Sequence, residues 1–451
     1  MYVYRLTDRK DNQVKYLWST ENLDTGLWRR AGTTAWMLAS EWIVDYLMVS
    51  SHSSANRILA DLIVYYAPKY NGAAKTVSEE EKEEIAEWAG SLTWMRYGEL
   101  DFACGLSRKK GSLRRIGNAE VNILLLAAMS SGMISREAAF SICGSQKSFS
   151  KVIPELKKKK EAEIVYGTSP RMFHILSKGC ERIEALVPGA VEAQKANRMS
   201  KGMPQRKYDI SMALYLLQIA GGQIIPIRKP PLVLEDKILE PDVPEGEMLV
   251  YGPLEFKKLH PDEMHGSRIA ALAMKEDRVC VFYYMGGRNI RYQEAVERRA
   301  SVMLGNTYRE KKVVSAVIGK PEMLDEILKN QDRKDRAKGD QRVSVITPDM
   351  NLWFIPESSF ADTAMGIRLL TFGDQEKIKR LADHVKERSG LPVINMLQIH
   401  LSSVLRLSRN TTPVAVLCRQ QMEAYVKKLC PAAVVFPVKE EKLPSLILPS
   451  P

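Results

Sequence analysis

Apolar residues recur at spacings of three and four through residues 30–49, 53–66 and 78–94, the period that lays one apolar stripe along a helix. The third stretch opens on Ser78 before EEEKEE, a hydroxyl cap followed by the acidic first turn that a helix N-terminus favours. A short strand pair followed by helices is therefore expected over 1–107, a mostly helical domain. Trp36, Trp42, Tyr46, Trp88 and Trp94 lie on the apolar faces and read as core in preference to a base-stacking surface. The next stretch, SRKKGSLRRIG, holds Arg108, Lys109, Lys110, Arg114 and Arg115 with two glycines and reads as a basic linker.

From Asn118 the pattern shortens to three helical segments, NAEVNILLLAAMSSG, ISREAAFSIC and GSQKSFSKVIPELKKKK. Two alternating stretches then flank a GTSPR turn and lead into another helix. Three helices and a two-stranded hairpin make the layout of a winged helix-turn-helix, expected over 115–190, with the third helix entering the major groove of duplex DNA. On it Ser145, Gln146, Lys147, Ser148 and Lys151 are candidates for base edges or phosphates, and the run Lys157 to Lys160 for phosphates. Arg171 stands beside the wing tip, and Arg114 and Arg115 add cations ahead of the first helix. Pro154 should kink the third helix or mark its first turn. A lysine run alone is usually a solvated face, and a winged helix can also bind protein.

After a polar stretch at 194–207, a second periodic region over 208–305 reads as helix, three strands, helix, strand. That αβββαβ order is the core of the restriction-endonuclease-like fold, whose motif sets Pro-Asp at one strand and Glu-x-Lys on the next. Pro241-Asp242 and Glu255-Phe256-Lys257 match it. Alternation on a strand would put Glu255 and Lys257 on one face. Asp242 and Glu255 would then hold a divalent cation such as Mg2+, with Lys257 steadying developing charge beside the scissile phosphate. Asp242, Glu255 and Lys257 are thus the candidate catalytic residues of a metal-dependent DNA endonuclease. The same three residues also fit surface groups on a fold without catalysis. His260, His265, Gly266, Ser267 and Arg268 follow at an expected helix start, where backbone donors and Arg268 could take a phosphate or form a plain cap.

A winged helix running into ILSKGCERI (Ile175 to Ile183), a linker, and a nuclease-like region with Pro241-Asp242 and LEFK (Leu254 to Lys257) together resemble the replication-relaxation family of plasmids and integrative conjugative elements. The likeness spans residues 115 to about 305 and is one of architecture. The family's strand usually carries an acidic pair where this chain has Glu255 and Lys257. The resemblance implies a DNA-binding accessory protein in replication, relaxation or transfer of mobile-element DNA. Its partners would be double-stranded DNA and other replication or transfer proteins, and a homodimer is one admissible assembly.

Residues 306–451 alternate strand-like and helical stretches, expected as an α/β region with a mostly parallel sheet. Gly373-Asp374 and Gly319-Lys320-Pro321 read as helix starts. Neither GxGxxG nor GxxxxGK[ST] occurs, so nucleotide motifs lend no support. A transcription regulator whose C-terminal region senses a ligand is a third, weaker reading. The overall expectation is an α/β multidomain chain.

Charge narrows these options. The 451 residues carry 66 Lys+Arg against 54 Asp+Glu, a net +12. Within 101–180 the count is 14 Lys or Arg against 6 Asp or Glu, so two thirds of the excess is local and suits a polyanion. The six cysteines, Cys104, Cys143, Cys180, Cys280, Cys418 and Cys430, are scattered without a CxxC pair and read as reduced thiols of a cytoplasmic protein. The opening MYVYRLTDRKDNQ lacks the apolar core of a signal peptide. The apolar run 35–49 is interrupted by Glu41 and Asp45 and falls short of the roughly 20 residues of a membrane span, so no membrane partner is expected.

Overall fold

The computed structural model describes the chain except for residues 24–25, 28–29, 31–34, 103–105, 110–111, 116–118, 166–170, 192–203, 265, 287–289, 337–344, 363–364 and 448–451. Two compact units divide it: Met1–Leu125, Ala139–Glu163 and Ile175–Val191 in the first, Leu126–Ala138, Ile164–His174 and Glu192–Pro451 in the second. The expected α/β class holds, with helices mixed among several sheets. Among the described residues no helix is long and apolar enough to cross a membrane.

The first unit corrects the helical expectation for the N-terminus. Strands β1 (Tyr2–Asp8), β2 (Val14–Thr20), β3 (Trp42–Met48), β4 (Met95–Asp101), β5 (Leu106–Lys109) and β6 (Ser112–Arg115) form one sheet in the order β2-β1-β3-β4-β5-β6, antiparallel throughout. Helices α1 (His52–Tyr66) and α2 (Glu79–Ser91) were foreseen, and Ser78 caps α2 by accepting from Glu81 N at 3.2 Å. Residues 42–48, expected within a helix, are β3, and their one charge, Asp45, is paired and not solvated. Asp45 is buried between Arg5 (3.1 Å) and Arg96 (2.6 Å), both from neighbouring strands. The bulky apolar residues around it fit a pleated surface with two covered faces. Val3 and Leu17 pack with Ala55, Leu62 and Ala89 of the helices, while alternation sends Tyr4, Leu6 and Tyr16 to the other, also buried face. The expected basic linker is likewise a hairpin, β5 paired with β6.

Helices α3 (Ala119–Met129), α4 (Arg136–Cys143), α5 (Gln146–Lys158) and α6 (Ser177–Leu186) alternate with β7 (Met133–Ser135), β8 (Ala162–Val165) and β9 (Met172–Ile175). The three strands form a small sheet in the order β7-β9-β8, with β7 and β9 antiparallel.

In the second unit, α7 (Pro204–Ile219) is followed by a two-residue ribbon, β10 (Val233–Leu234) with β11 (Lys237–Ile238). A six-stranded sheet comprises β12 (Leu249–Tyr251), β13 (Ala271–Met274), β14 (Arg278–Met285), β15 (Lys312–Gly319), β16 (Trp353–Pro356) and β18 (Ile399–His400). Strands β14, β15 and β16 are parallel and joined through α8 (Glu294–Thr307) and α9 (Met323–Arg336). Strand β14 is buried from Val279 to Met285, the near-continuous apolar run of a strand covered on both faces. Helices α10 (Met365–Phe372), α11 (Gln375–Ser389), α12 (Leu401–Ser408) and α13 (Glu423–Leu429) accompany a second sheet of β17 (Val393–Met396), β19 (Val414–Arg419) and β20 (Ala433–Val438). That sheet is parallel, as expected for the C-terminal region. Asp374 caps α11 through Lys377 N at 3.0 Å. Residues 365–372 are helical.

Candidate nucleic-acid interface

Helix α5 is set by its two ends. Ser145 accepts a hydrogen bond from Ser148 N at 3.2 Å, satisfying one orphan donor of the first turn. Lys157 and Lys158 occupy the last turn, where cations suit the helix dipole. Phe149, Ile153 and Leu156 are its buried residues, and Phe149 meets Phe140 of α4 edge-on at 5.6 Å. At ~100° per residue, Lys147, Lys151 and Lys158 fall within ~40° of one another on the side opposite that buried stripe. All three are exposed. Pro154 lies inside the helix, on this outer face, where it leaves the Ser150 carbonyl without its usual donor. Lys147 sits in the first turn, where a cation opposes the dipole by ~0.3–1 kcal/mol.

Of the other expected contacts, Gln146 is exposed and donates to Ser150 Oγ at 3.0 Å. Ser148 is half-buried and gives its N–H to the cap. Ser150 is exposed beside Gln146, a position the sequence analysis missed although it lies one helical turn after Gln146. Arg114 and Arg115 belong to β6, paired with Ser107 and Leu106. Arg171 is exposed just before β9, and its carbonyl accepts from Arg136 N at 3.0 Å.

The lysine run divides by role. Lys159 pairs with Glu120 of α3 at 2.7 Å, and Arg182 of α6 bridges Glu120 (3.0 Å) and Glu161 (2.8 Å). Burial pushes the Glu120 carboxyl up, but hydrogen bonds from Lys159 and Arg182 outweigh it and hold its pKa below the ordinary value. This network ties α3, the end of α5 and α6 together. Gly179 lets α6 approach closely: a Cβ there would stand 2.3 Å from the Glu161 carbonyl oxygen.

The nuclease expectation is corrected at its strand. Residues 253–256 form a helical turn after β12, so Glu255 and Lys257 are not strand neighbours on one face. Glu255 accepts from Gly252 N at 2.8 Å and pairs with Lys229 at 2.8 Å. The Lys229 side chain is 1% exposed, with its ammonium 4.2 Å from the centre of the Tyr251 ring. Both Glu255 oxygens are thus engaged by donors, a poor fit to a hard cation. Asp242 is exposed on an irregular segment. Among the described residues no group of three or more His, Cys, Asp or Glu is placed to hold a metal ion. Lys257 donates to Ser267 O at 3.3 Å. His260 contacts Thr307 Oγ1 at 2.7 Å; His265 lies outside the described residues. The expected helix after it is an extended strap leading into β13.

No family model matches this chain, and comparison with curated proteins and with solved structures found no match either.

Proposed function

We propose that this chain is a duplex-DNA-binding protein that presents α5 to the major groove from a winged helix spanning residues 119–175. The order α-β-α-α-β-β and the β7-β9-β8 sheet support that reading. The single observation that carries it is the stripe Lys147, Lys151 and Lys158 on the face of α5 opposite Phe149, Ile153 and Leu156. Charge placed that way faces outward along the helix, within reach of successive phosphates, and Gln146 and Ser150 flank it with the donors and acceptors that base edges require. Replication, relaxation or transfer of mobile-element DNA is the setting in which such binding would serve. The engagement of Glu255 by Lys229 and Gly252 favours a binding protein over a Mg2+-dependent nuclease.

The test is fluorescence anisotropy with a labelled 30-base-pair duplex at low salt. The full chain is expected to bind, and the variant K147A/K151A/K158A to lose at least tenfold in affinity while keeping its melting temperature. Equal affinity for both proteins would sink the assignment of this face.

A further inference from the structure

Neither the fold nor the lysine face of α5 accounts for Pro154. It is the ninth of the thirteen residues Gln146–Lys158, well past the first turn, where a helix takes proline readily. In a helix interior proline is the least favoured residue, because it brings no N–H and its ring presses on the carbonyl four residues back. Packing offers no compensation here. Ile153 and Leu156 are buried, whereas Pro154 is exposed.

The carbonyl concerned is that of Ser150. Gln146, Ser150 and Pro154 are four apart in the chain and advance by ~40° a step around the helix, from the margin of the buried stripe toward the side of Lys147, Lys151 and Lys158. The Ser150 carbonyl is therefore a main-chain acceptor in mid-helix that lacks its usual donor and is pushed off the axis on the exposed side. Any other residue at 154 would bring the N–H that takes it up. The side chains beside it complete a small set of donors and acceptors. Gln146, itself exposed, donates through Nε2 to Ser150 Oγ at 3.0 Å. That bond leaves the Ser150 hydroxyl with a proton to give and the Gln146 amide oxygen with lone pairs to share.

Acceptors on a helix in the major groove discriminate between bases. Adenine and cytosine present an exocyclic amino group there, whereas guanine presents only N7 and O6 and thymine only O4 and a methyl group. Lysine, with three donors and no acceptor, cannot read an amino group. In adenine the amino group stands beside N7, which matches a carbonyl that accepts next to a hydroxyl that gives.

We propose that the Ser150 carbonyl freed by Pro154, with the Ser150 hydroxyl and Gln146, reads an exocyclic amino group in the major groove, that of adenine or cytosine, an assignment that rests on α5 being the DNA-facing helix. Pro154 sets the base preference, and the lysines supply the attraction to phosphates.

The full chain is used to select sites from a duplex pool randomised over two helical turns. The selected duplex is then remade with single bases that lack only the amino group, 2′-deoxynebularine for adenine and 2-pyrimidinone for cytosine. The wild type is expected to lose about fivefold or more in affinity at one such position, the worth of one hydrogen bond. A loss with nebularine assigns adenine, and a loss with 2-pyrimidinone assigns cytosine. P154A restores the N–H that takes up the Ser150 carbonyl. It is expected to melt no lower than the wild type, to bind the parent duplex several-fold more weakly with an unchanged salt slope, and to be indifferent to removal of the amino group. Wild-type binding that no amino deletion weakens overturns the proposal and leaves the lysine face standing, as does an amino dependence that P154A keeps. No binding to duplex DNA, or binding that K147A/K151A/K158A retains in full, overturns the lysine face and the proposal with it.

Discussion

Glu255 shows how one side chain separates two accounts of the same motif. A metal-binding carboxylate could be replaced with loss of activity and little loss of stability. Here its removal strands the Lys229 ammonium, 1% exposed, and breaking a buried pair costs about 3–5 kcal/mol. E255A is therefore expected to melt well below the wild type, and the double variant K229M/E255Q to recover most of the loss; an E255A protein of unchanged stability would contradict this. Lys257 carries a pH signature. Burial, then the adjacent Arg206, push its pKa down to about 8 against the partial opposition of Glu297, and Arg268 adds to the depression. The folded state thus sheds this proton before the unfolded chain does, so below about 8 the charge works against the fold, and the penalty is relieved as pH rises through that value toward the ordinary 10.5. The stability of the wild type relative to K257Q should accordingly rise across that window, measured by denaturant unfolding at each pH; a constant difference would show that Lys257 is not titrating there.

Elements were legible where the local pattern and the tertiary environment agree. The capped helix after Ser78, the helix after Asp374 and the parallel strands β14, β15, β16, β17, β19 and β20 follow from periodicity and caps that packing reinforces. Strand β3 was misread because Asp45 interrupts an apolar run as a solvent-facing helical residue would; its burial between Arg5 and Arg96 depends on strands distant in sequence. The β5–β6 hairpin was hidden by its basic composition, since pairing with β4 cannot be seen from the segment alone. Residues 253–256 looked like a continuation of β12, yet Gly252-Pro253 ends the strand and starts a helical turn, with Glu255 as its cap. In the candidate interface the Lys positions on α5 were legible, and the withdrawal of Lys159 into the Glu120–Arg182 network was not. The close approach of α6 to the Glu161 carbonyl gives that network a stability test. G179A should cost roughly 1–3 kcal/mol through the forced displacement, read as a lower melting temperature, whereas an unchanged one would mean that the contact relaxes freely.

At the scale of the whole molecule, a net charge of +12 permits many polyanionic partners and selects none. What narrows it is where the cations are free to act. Lys159 and Arg182 are committed to internal pairs, Lys229 is buried against Glu255, and Arg206 and Lys257 hold a strap in the α/β unit. Lys147, Lys151 and Lys158 stand exposed on one face of α5, so the proposed attraction for duplex DNA would act through them. Each phosphate neutralised releases counterions and adds ~0.9 to the steepness with which affinity falls with salt. The decisive measurement is the slope of log Kd against log salt concentration for wild type and K147A/K151A/K158A on the same duplex. The account predicts a slope shallower by roughly two to three in the triple variant. An identical slope in the two proteins would contradict it and place the DNA-binding surface elsewhere.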